Sequence, residues 1–168
     1  MIKNINFLLV TFFGIGTIRY APGTVTSLIT TIFLFSSFHI LKLSSYFILT
    51  VLLVIFFYSF YAVANYIKNE PNKDPKEVVI DELIGQSIPL YLYEVSHGFA
   101  KDAKEAILFY IYIFILFRFF DIKKPFPINY FDKKFKNSFG VIMDDVIAGF
   151  YVVLTLIIFM TIKSKIFT

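Results

Sequence analysis

The chain has 168 residues, of which 58% are hydrophobic and only 17% are charged. Ordinary soluble domains contain about 45–50% apolar and about 25% charged residues. A soluble fold this small could not bury so much apolar surface, because its surface-to-volume ratio is too high. The sequence has no cysteine, which excludes disulfides, thiolate metal sites and cysteine nucleophiles. The net charge of +4 is modest and the basic residues are dispersed, so we expect no nucleic-acid partner.

The first apolar run, Ile5–Phe13, follows Lys3 and resembles the apolar part of a signal peptide. No small-residue cleavage site follows it, so we expect this segment to be retained. The next residues, Gly14 through Ser27, are rich in glycine and hydroxyl side chains and lead into a predicted helix. Such a loop could present N–H groups, together with Thr24, to an anion at the helix start. Helix capping by Thr24 and Ser27 is the alternative.

We expect a single domain over residues 1–168, built on five apolar segments with short polar stretches between them. The segments are Leu28–Leu43, Tyr46–Ile67, Leu83–Tyr93, Ala106–Phe120 and Val146–Ile162. A helix needs about 17–25 apolar residues to cross a bilayer, so Tyr46–Ile67 is long enough and Leu83–Tyr93 is too short. The runs do not alternate with period two, which disfavours strands. The pattern predicts an all-α integral membrane bundle with about four to five hydrophobic helices.

The distribution of basic residues predicts an orientation for this bundle. With five crossings and the amino terminus inside, most basic residues fall on the cytoplasmic side, in agreement with the positive-inside rule. The cytoplasmic set is Lys3, Arg19, Lys68, Lys73, Lys76, Arg118, Lys123, Lys124, Lys133, Lys134 and Lys136, and the outer set is Lys42, Lys101, Lys104, Lys163 and Lys165. The sequence therefore predicts a multi-pass protein of the cytoplasmic membrane with its acidic motifs facing the cytoplasm.

Acidic residues lie at the ends of the last three apolar segments. Asp81 and Glu82 open the third, Asp121 closes the fourth, and Asp144 and Asp145 open the fifth. Carboxylates at the edge of hydrocarbon are costly unless they are paired, metal-bound or hydrated. Helix capping is the alternative for each site, but it explains neither the doublets nor an acid that follows a helix. Oxygen-rich clusters suit Mg²⁺. Because helical neighbours project about 100° apart, we expect one residue of each doublet to be a ligand.

The end of the fourth apolar segment combines positive charge with two prolines. Arg118, Lys123 and Lys124 surround Asp121, and the prolines that follow must turn the chain at the interface. Attraction to anionic lipid is the simpler interpretation of Lys123. Lys124 is fixed beside the turn and is the better candidate to bind a substrate phosphate.

Four blocks of the sequence carry a resemblance to a known family. They are Gly14-x-Gly16 with Ala21-Pro22-Gly23-Thr24 and Ser27-Leu28; Val79-Ile80-Asp81-Glu82-Leu83-Ile84-Gly85; Phe117-Arg118-Phe119-Phe120-Asp121-x-x-Lys124-Pro125-x-Pro127; and Asp132 with Gly140-Val141-Ile142-Met143-Asp144-Asp145-Val146-Ile147-Ala148-Gly149. In order and spacing, from about residue 14 to 150, the chain resembles the phosphatidylglycerophosphatase A family. It departs from the family pattern at Thr26 and at Asn137-Ser138, where glycine is common, and these positions concern loop conformation.

The resemblance implies an all-α enzyme of the bacterial inner membrane that hydrolyses the phosphomonoester of phosphatidylglycerophosphate with Mg²⁺. We hypothesise a division of roles among the residues of the matching blocks. The catalytic residues are Asp81, Glu82, Asp121, Asp132 and Asp145, the phosphate ligands are Arg118, Lys124 and Thr24, and the metal ligands are Glu82, Asp121, Asp144 and Asp145. Asp132 acts either as an ion partner of nearby lysines or as a general acid.

Elimination among phosphatase chemistries favours the same mechanism. There is no cysteine, and neither His39 nor His97 lies in a basic setting, so both are interpreted as structural or solvated. Carboxylate-held metal remains, with either water or a carboxylate as the nucleophile. A small cation transporter or a structural membrane subunit is the alternative function. Transport predicts acids near the middle of the bilayer, whereas these lie at segment ends. A homo-oligomer is compatible with the sequence.

Overall fold

The computed structural model describes residues 2–68, 70–72, 74–97 and 103–166, which leaves out two lysines of the topology prediction, Lys73 and Lys101. Within the described ranges all regular structure is helical, which confirms the all-α class. The α-helices are α1 (Ile2–Val10), α2 (Pro22–Phe35), α3 (Ser45–Ile67), α4 (Ile80–His97), α5 (Ala103–Lys123), α6 (Ile128–Lys134) and α7 (Ser138–Ile166). A short 3-10 turn, Ile15–Thr17, precedes α2, and a π-helical turn, Ser36–Ile40, extends it.

Three helical segments of the described chain are long and apolar enough to cross a membrane by length and composition. They are Pro22–Ile40, Ser45–Ile67 and Ser138–Ile162. The other two apolar segments of the sequence form α4 and α5. The first carries acidic residues in its first turn, and the second carries charged residues towards both ends. The prediction of four to five hydrophobic membrane helices is therefore not confirmed; the structure supports three.

Helices α4 and α7 cross at two glycines. A Cβ atom at Gly85 would lie 2.6 Å from the carbonyl oxygen of Asp145, and one at Gly149 would lie 2.5 Å from the carbonyl oxygen of Gly85. Glycine on both helices lets their backbones approach closely, as small residues do in membrane bundles. Fully buried Ala148 and Val152 continue this packing along α7. The crossing fixes the distance between the acidic start of α4 and the first third of α7.

Helices α2 and α4 run parallel, and both begin at the same end of the bundle. There, Gly23 of α2 lies against the side chain of Glu82. At the other end, the Nε2 atom of His39 lies 3.0 Å from the Oε1 atom of Glu94. We call the end where α2 and α4 begin the site end. His39 pairs with Glu94 far from the acidic motifs, which agrees with the structural role predicted for it.

Large apolar side chains cover the outside of the bundle. Val54 and Phe57 of α3 are 64% and 67% exposed, and Leu108 of α5 is 70% exposed. Contiguous apolar surface of this kind is unfavourable in water and marks a surface that contacts membrane or another protein. Together with the three candidate spans, it supports association with a membrane.

Candidate active site

Three carboxylates converge at the site end of the bundle. One oxygen from each of Asp81, Glu82 and Asp145 lies within 4.8 Å of the other two. Asp81 and Asp145 are buried, and the Oε2 atom of Glu82 is enclosed without a hydrogen-bond partner among the described residues. No lysine or arginine of the described chain makes an ion pair with any of these three carboxylates. We call these three residues the carboxylate cluster.

The start of α4 positions two members of this cluster. Asp81 and Glu82 occupy the first turn, where the positive end of the helix dipole favours acidic side chains. The Oδ1 atom of Asp81 accepts a hydrogen bond of 3.1 Å from the backbone N–H of Glu82. The α2 helix fits against them because position 23 is glycine. A Cβ atom there would lie 1.8 Å from the Oε1 atom of Glu82.

The cation beside the cluster is Lys124, which stands between two acids. Its Nζ atom donates to the Oδ2 atom of Asp144 at 2.7 Å and lies 3.2 Å from the Oδ1 atom of Asp132. Lys124 adopts a left-handed backbone conformation with φ of 43° at the end of α5. This conformation ends helices, and the following proline disfavours continuation of the α-helix. The local sequence thereby directs the lysine to the acids of α6 and α7.

A second cation, Arg118, reaches the site from α5. Its Nη1 atom lies 2.7 Å from the Oδ2 atom of Asp121, one helical turn later, and 3.3 Å from the hydroxyl oxygen of Ser27. The Nε atom of Arg118 has no hydrogen-bond partner among the described residues. The guanidinium group is therefore held in place on one edge and retains donor capacity on another.

A cavity of about 380 Å³ opens beside the carboxylate cluster. Its wall combines the first turn of α2, the loop before α4, and charged side chains from α4, α5 and α7. The lining residues are Ala21, Pro22, Gly23, Thr24, Asp74, Pro75, Lys76, Val78, Asp81, Glu82, Arg118, Ile122, Lys124 and Asp144. Three positive side chains and a helix start with free N–H groups line this space, which suits an anionic ligand.

Burial disfavours ionisation at the cluster. Desolvation raises the pKa of Glu82 to about 7. Desolvation also raises the pKa of Asp81 well above its usual range, and the nearby charge of Glu82 adds to this effect. Burial lowers the pKa of Lys124, but the Asp144 carboxylate raises it by more, so the lysine stays protonated. The cluster therefore gains most from a cation that allows its acids to ionise together.

The structure brings most of the predicted site residues together but separates them into two groups. Glu82 and Asp145 belong to the carboxylate cluster, whereas Asp121 and Asp144 form ion pairs with the two cations. For the second doublet, one acid is in the cluster and its neighbour is not, as expected from helical geometry. For the first doublet, both Asp81 and Glu82 are in the cluster, because they occupy the first helical turn.

Three further predicted residues surround these groups. Thr24 lines the cavity, and Lys124 does so while paired with Asp132. Sequence reasoning missed Asp74 and Lys76, which line the same cavity from the loop before α4. The only available signal was their position shortly before the Asp81 motif, since a loop has no periodicity that reveals which side chains face inward.

The chemistry of the cluster fits a hard divalent cation. Three carboxylate oxygens lie within 4.8 Å of one another, and Mg²⁺ prefers oxygen ligands while retaining water and binding substrate phosphate. Sulfur and imidazole ligands, which softer metals prefer, are absent from the described residues around it.

Comparison with known proteins identifies the family. The profile of the family described as "Phosphatidylglycerophosphatase A" matches residues 8–160. A phosphatidylglycerophosphatase A of Haemophilus influenzae is 37% identical over 147 residues, which cover 88% of this chain and 83% of that protein. A Bacteroides thetaiotaomicron protein, provisionally named a phosphatidylinositol-3-phosphatase, is 34% identical over 86% of each chain.

A shorter match extends to Escherichia coli K12, whose phosphatidylglycerophosphatase A is 42% identical over 36 residues, or 21% of each chain. No solved structure matches the chain significantly. The family profile and the Haemophilus relative both span most of the sequence, including every block that holds the cluster and its two cations. The chain is an enzyme of the phosphatidylglycerophosphatase A family.

Proposed function

We propose that this enzyme removes the terminal phosphate from phosphatidylglycerophosphate, giving phosphatidylglycerol and inorganic phosphate, with Mg²⁺ as cofactor. One observation carries the proposal. Asp81, Glu82 and Asp145 meet within 4.8 Å of one another, beside a cavity that Arg118 and Lys124 also line. Acidic oxygens for a cation and basic groups for a phosphate are the two requirements of metal-assisted phosphate ester hydrolysis.

In this proposal the carboxylate cluster holds Mg²⁺. When bound, the ion neutralises phosphate charge and favours attack of water on phosphorus. Hydrolysis forms a bond between the water oxygen and phosphorus and breaks the bond between phosphorus and the glycerol oxygen. A cluster carboxylate accepts a proton from the water, and the glycerol oxygen leaves with a proton. Asp132, which contacts Lys124, is the candidate donor of that second proton.

The remaining charged residues bind and orient the headgroup. Lys124 and Arg118 contact the phosphate, and Thr24 donates a hydrogen bond to it from the first turn of α2. Asp144 and Asp121 hold these two cations at 2.7 Å and so fix their direction before substrate arrives. Fixed donors of this kind stabilise charge that develops in the transition state without reorganisation. We therefore assign Asp121 and Asp144 to orientation of the cations, with metal binding mainly at the cluster.

The proposed setting is the inner membrane of a bacterium, with several crossings and the site end at the cytoplasmic face. The site lies where α2 and α4 begin and α5 ends, so a lipid headgroup can enter from the interface while its acyl chains stay in the bilayer. The basic residues Arg118 and Lys124 also lie at this end, which supports the cytoplasmic orientation. Acids at one end of the bundle, beside a headgroup-sized cavity, favour this function over cation transport.

The test is phosphate release from purified protein in detergent, with short-chain phosphatidylglycerophosphate as substrate. We expect activity with Mg²⁺, loss of activity with EDTA and recovery when Mg²⁺ is restored. Asp145→Asn should lower kcat by about 10³-fold or more, which is the scale of removing a principal electrostatic group. Glu105→Gln is the matched control, because this exposed acid lies at the opposite end of the bundle. Full activity of Asp145→Asn, or activity in EDTA, would contradict the proposal.

A second substrate, phosphatidylinositol-3-phosphate, is worth testing because the Bacteroides relative is provisionally named a phosphatidylinositol-3-phosphatase. Both headgroups present a phosphomonoester, so the cluster and the two cations suit either. The two differ in the alcohol, which is a glycerol in one and an inositol ring in the other. Comparing kcat/KM for the two lipids in the same micelles decides between them. We expect phosphatidylglycerophosphate to be preferred.

A further inference from the structure

Three polar side chains are buried without partners on the side of the carboxylate cluster that faces the middle of the bundle. Gln86 of α4 is 0% exposed, and neither its amide nitrogen nor its amide oxygen has a hydrogen-bond partner among the described residues. The hydroxyl oxygens of Thr26 and Thr30 on α2 are also unpaired, in residues that are 0% and 2% exposed. We call these three residues the polar pocket.

Neighbouring hydroxyl residues show that this lack of partners is unusual. Ser27 and Thr31 on the same helix each donate to a backbone carbonyl four residues earlier, at 3.0 and 2.7 Å. Ser87, next to Gln86, does the same at 2.7 Å. A buried polar group without a partner bears its full desolvation cost, and such groups in native proteins call for an explanation.

The polar pocket belongs to the two helices, α2 and α4, that meet at Gly23 and Glu82. Gln86 follows Glu82 by one turn of α4, so the two side chains share one face of the helix. Because α2 runs parallel to α4 and Gly23 touches Glu82, Thr26, about one turn after Gly23, comes level with Gln86, and Thr30 follows one turn later. Thr30 also lines one cavity together with Leu83 and Ser87 of α4, the helix that carries Gln86. The Oε2 atom of Glu82, one turn before Gln86, is likewise buried without a hydrogen-bond partner among the described residues.

The chemistry of the pocket indicates what it binds. An amide and two hydroxyls offer both donors and acceptors but no net charge. That set suits water and contrasts with the headgroup cavity, whose cations suit phosphate. We propose that Gln86, with Thr26 and Thr30, holds water against Glu82 from the buried side and thereby positions that carboxylate for hydrolysis. This proposal rests on the proposed function, and it makes the three side chains positioning residues.

The test compares isosteric variants that remove hydrogen-bonding groups without changing shape. Gln86→Leu and Thr30→Val remove unpaired groups, Thr30→Ser keeps the hydroxyl, and Thr31→Val removes a hydroxyl that its own helix already satisfies. For each protein, kcat and KM for short-chain phosphatidylglycerophosphate and the thermal midpoint are measured with saturating Mg²⁺. Wild-type activity is measured first, so a failure of the proposed function is recognised separately, as no phosphate release by any protein.

We expect Gln86→Leu and Thr30→Val to lower kcat by about 10- to 100-fold, the scale of misplacing a reacting group by about 1 Å. KM should change less than about twofold, and the thermal midpoint should stay equal or rise, because an apolar isostere removes the cost of burying a polar group. Thr30→Ser and Thr31→Val should keep wild-type kcat. If Gln86→Leu does not fold, the Thr30 pair still decides.

Three results would overturn the proposal. A rise in KM with unchanged kcat would show that the pocket binds the lipid itself, for example its ester carbonyls, rather than water. Unchanged kcat and KM together with a higher midpoint would show that the polar groups have no part in the reaction. A fall in kcat that Thr31→Val reproduces would also count against it, since that hydroxyl is already paired within α2.

Discussion

The crossing of α4 and α7 allows a test of how closely the carboxylate cluster depends on backbone distance. In Gly85→Ala, the added Cβ atom would lie 2.6 Å from the carbonyl oxygen of Asp145 and 2.8 Å from the ring of Phe117. Ordinary contacts of a Cβ atom begin near 3.4 Å. The two helices must therefore separate by about 0.8 Å, or tilt, to accept one methyl group. Because Asp145 belongs to the cluster, the same movement displaces it from Asp81 and Glu82.

We expect two measurable effects of Gly85→Ala. Overpacking of a tight core costs about 1–3 kcal/mol of folding free energy, which corresponds to about 2–12 °C in thermal midpoint at about 2–4 °C per kcal/mol for a chain of this size. Metal sites also tolerate displacements of only about 0.5 Å, and disturbing the groups that orient a ligand typically costs about 10- to 100-fold in metal affinity or activity. The Mg²⁺ concentration for half-maximal activity should rise by that factor.

Val152→Ala provides the matched control for this experiment. Val152 is fully buried on the same helix, two turns beyond Asp145, so its truncation lowers stability without moving the cluster. Truncation of a buried valine leaves a cavity and lowers stability by a comparable amount. Phosphate release is titrated with Mg²⁺ at a temperature where both variants are folded. A Gly85→Ala protein that folds and keeps the wild-type Mg²⁺ requirement would refute the link between helix distance and the cluster.

Three further predictions concern individual charges. In phosphate-release kinetics, Lys124→Met should lower kcat/KM by about 10²- to 10³-fold. Lys124→Arg should restore only part of the lost kcat/KM, because a planar guanidinium group does not replace an ammonium group that lies 2.7 Å from Asp144. Asp145→Asn should raise the Mg²⁺ requirement far more than Asp144→Asn, whose main effect should be on KM. Equal effects of the two variants in Mg²⁺ titrations would be evidence against the separation of the acids into a carboxylate cluster and partners of the cations. Burial raises the pKa of Glu82 to about 7, so protonation of this acid favours the folded, metal-free protein. The thermal midpoint of the metal-free protein should therefore fall as pH rises from about 4.5 to 7. Mg²⁺ or Glu82→Gln should flatten that dependence, and a midpoint that rises over this range would contradict it.

The sequence predicts the helices well because their signals are local. Each of the five apolar segments forms a helix, and the turn after Lys124 follows from two prolines. The number of crossings was less predictable, since charges within α4 and α5 depend on neighbours to be tolerated in a membrane. Helix α6 and the π-helical turn Ser36–Ile40 were not predicted, because short and irregular helical turns are set by packing rather than by periodicity.

The acidic motifs identify the site, but their pairing depends on tertiary structure. Hydropathy alone cannot show that Asp145 joins Asp81 while Asp144 turns to Lys124, since this depends on the crossing angle at two glycines. Gln86 illustrates the same limit. In the sequence it is one polar residue in an apolar segment, and only its complete burial without a partner marks it as unusual.

The charges at the site end also determine the order of binding in the proposed mechanism. Helices α2 and α4 direct their positive ends towards the cavity, whereas α5 ends there with its negative end, next to Arg118 and Lys124. Both cations are already paired with acids, so they add little net positive charge. The three acids of the cluster have no such partners among the described residues, and once ionised they would together repel a phosphate. A divalent ion held by Asp81, Glu82 and Asp145 would cancel two of their three negative charges, and helix ends and paired side chains alone do not. In the proposed mechanism the lipid phosphate would therefore bind with or after the metal, which would couple recognition of the headgroup to the presence of the ion.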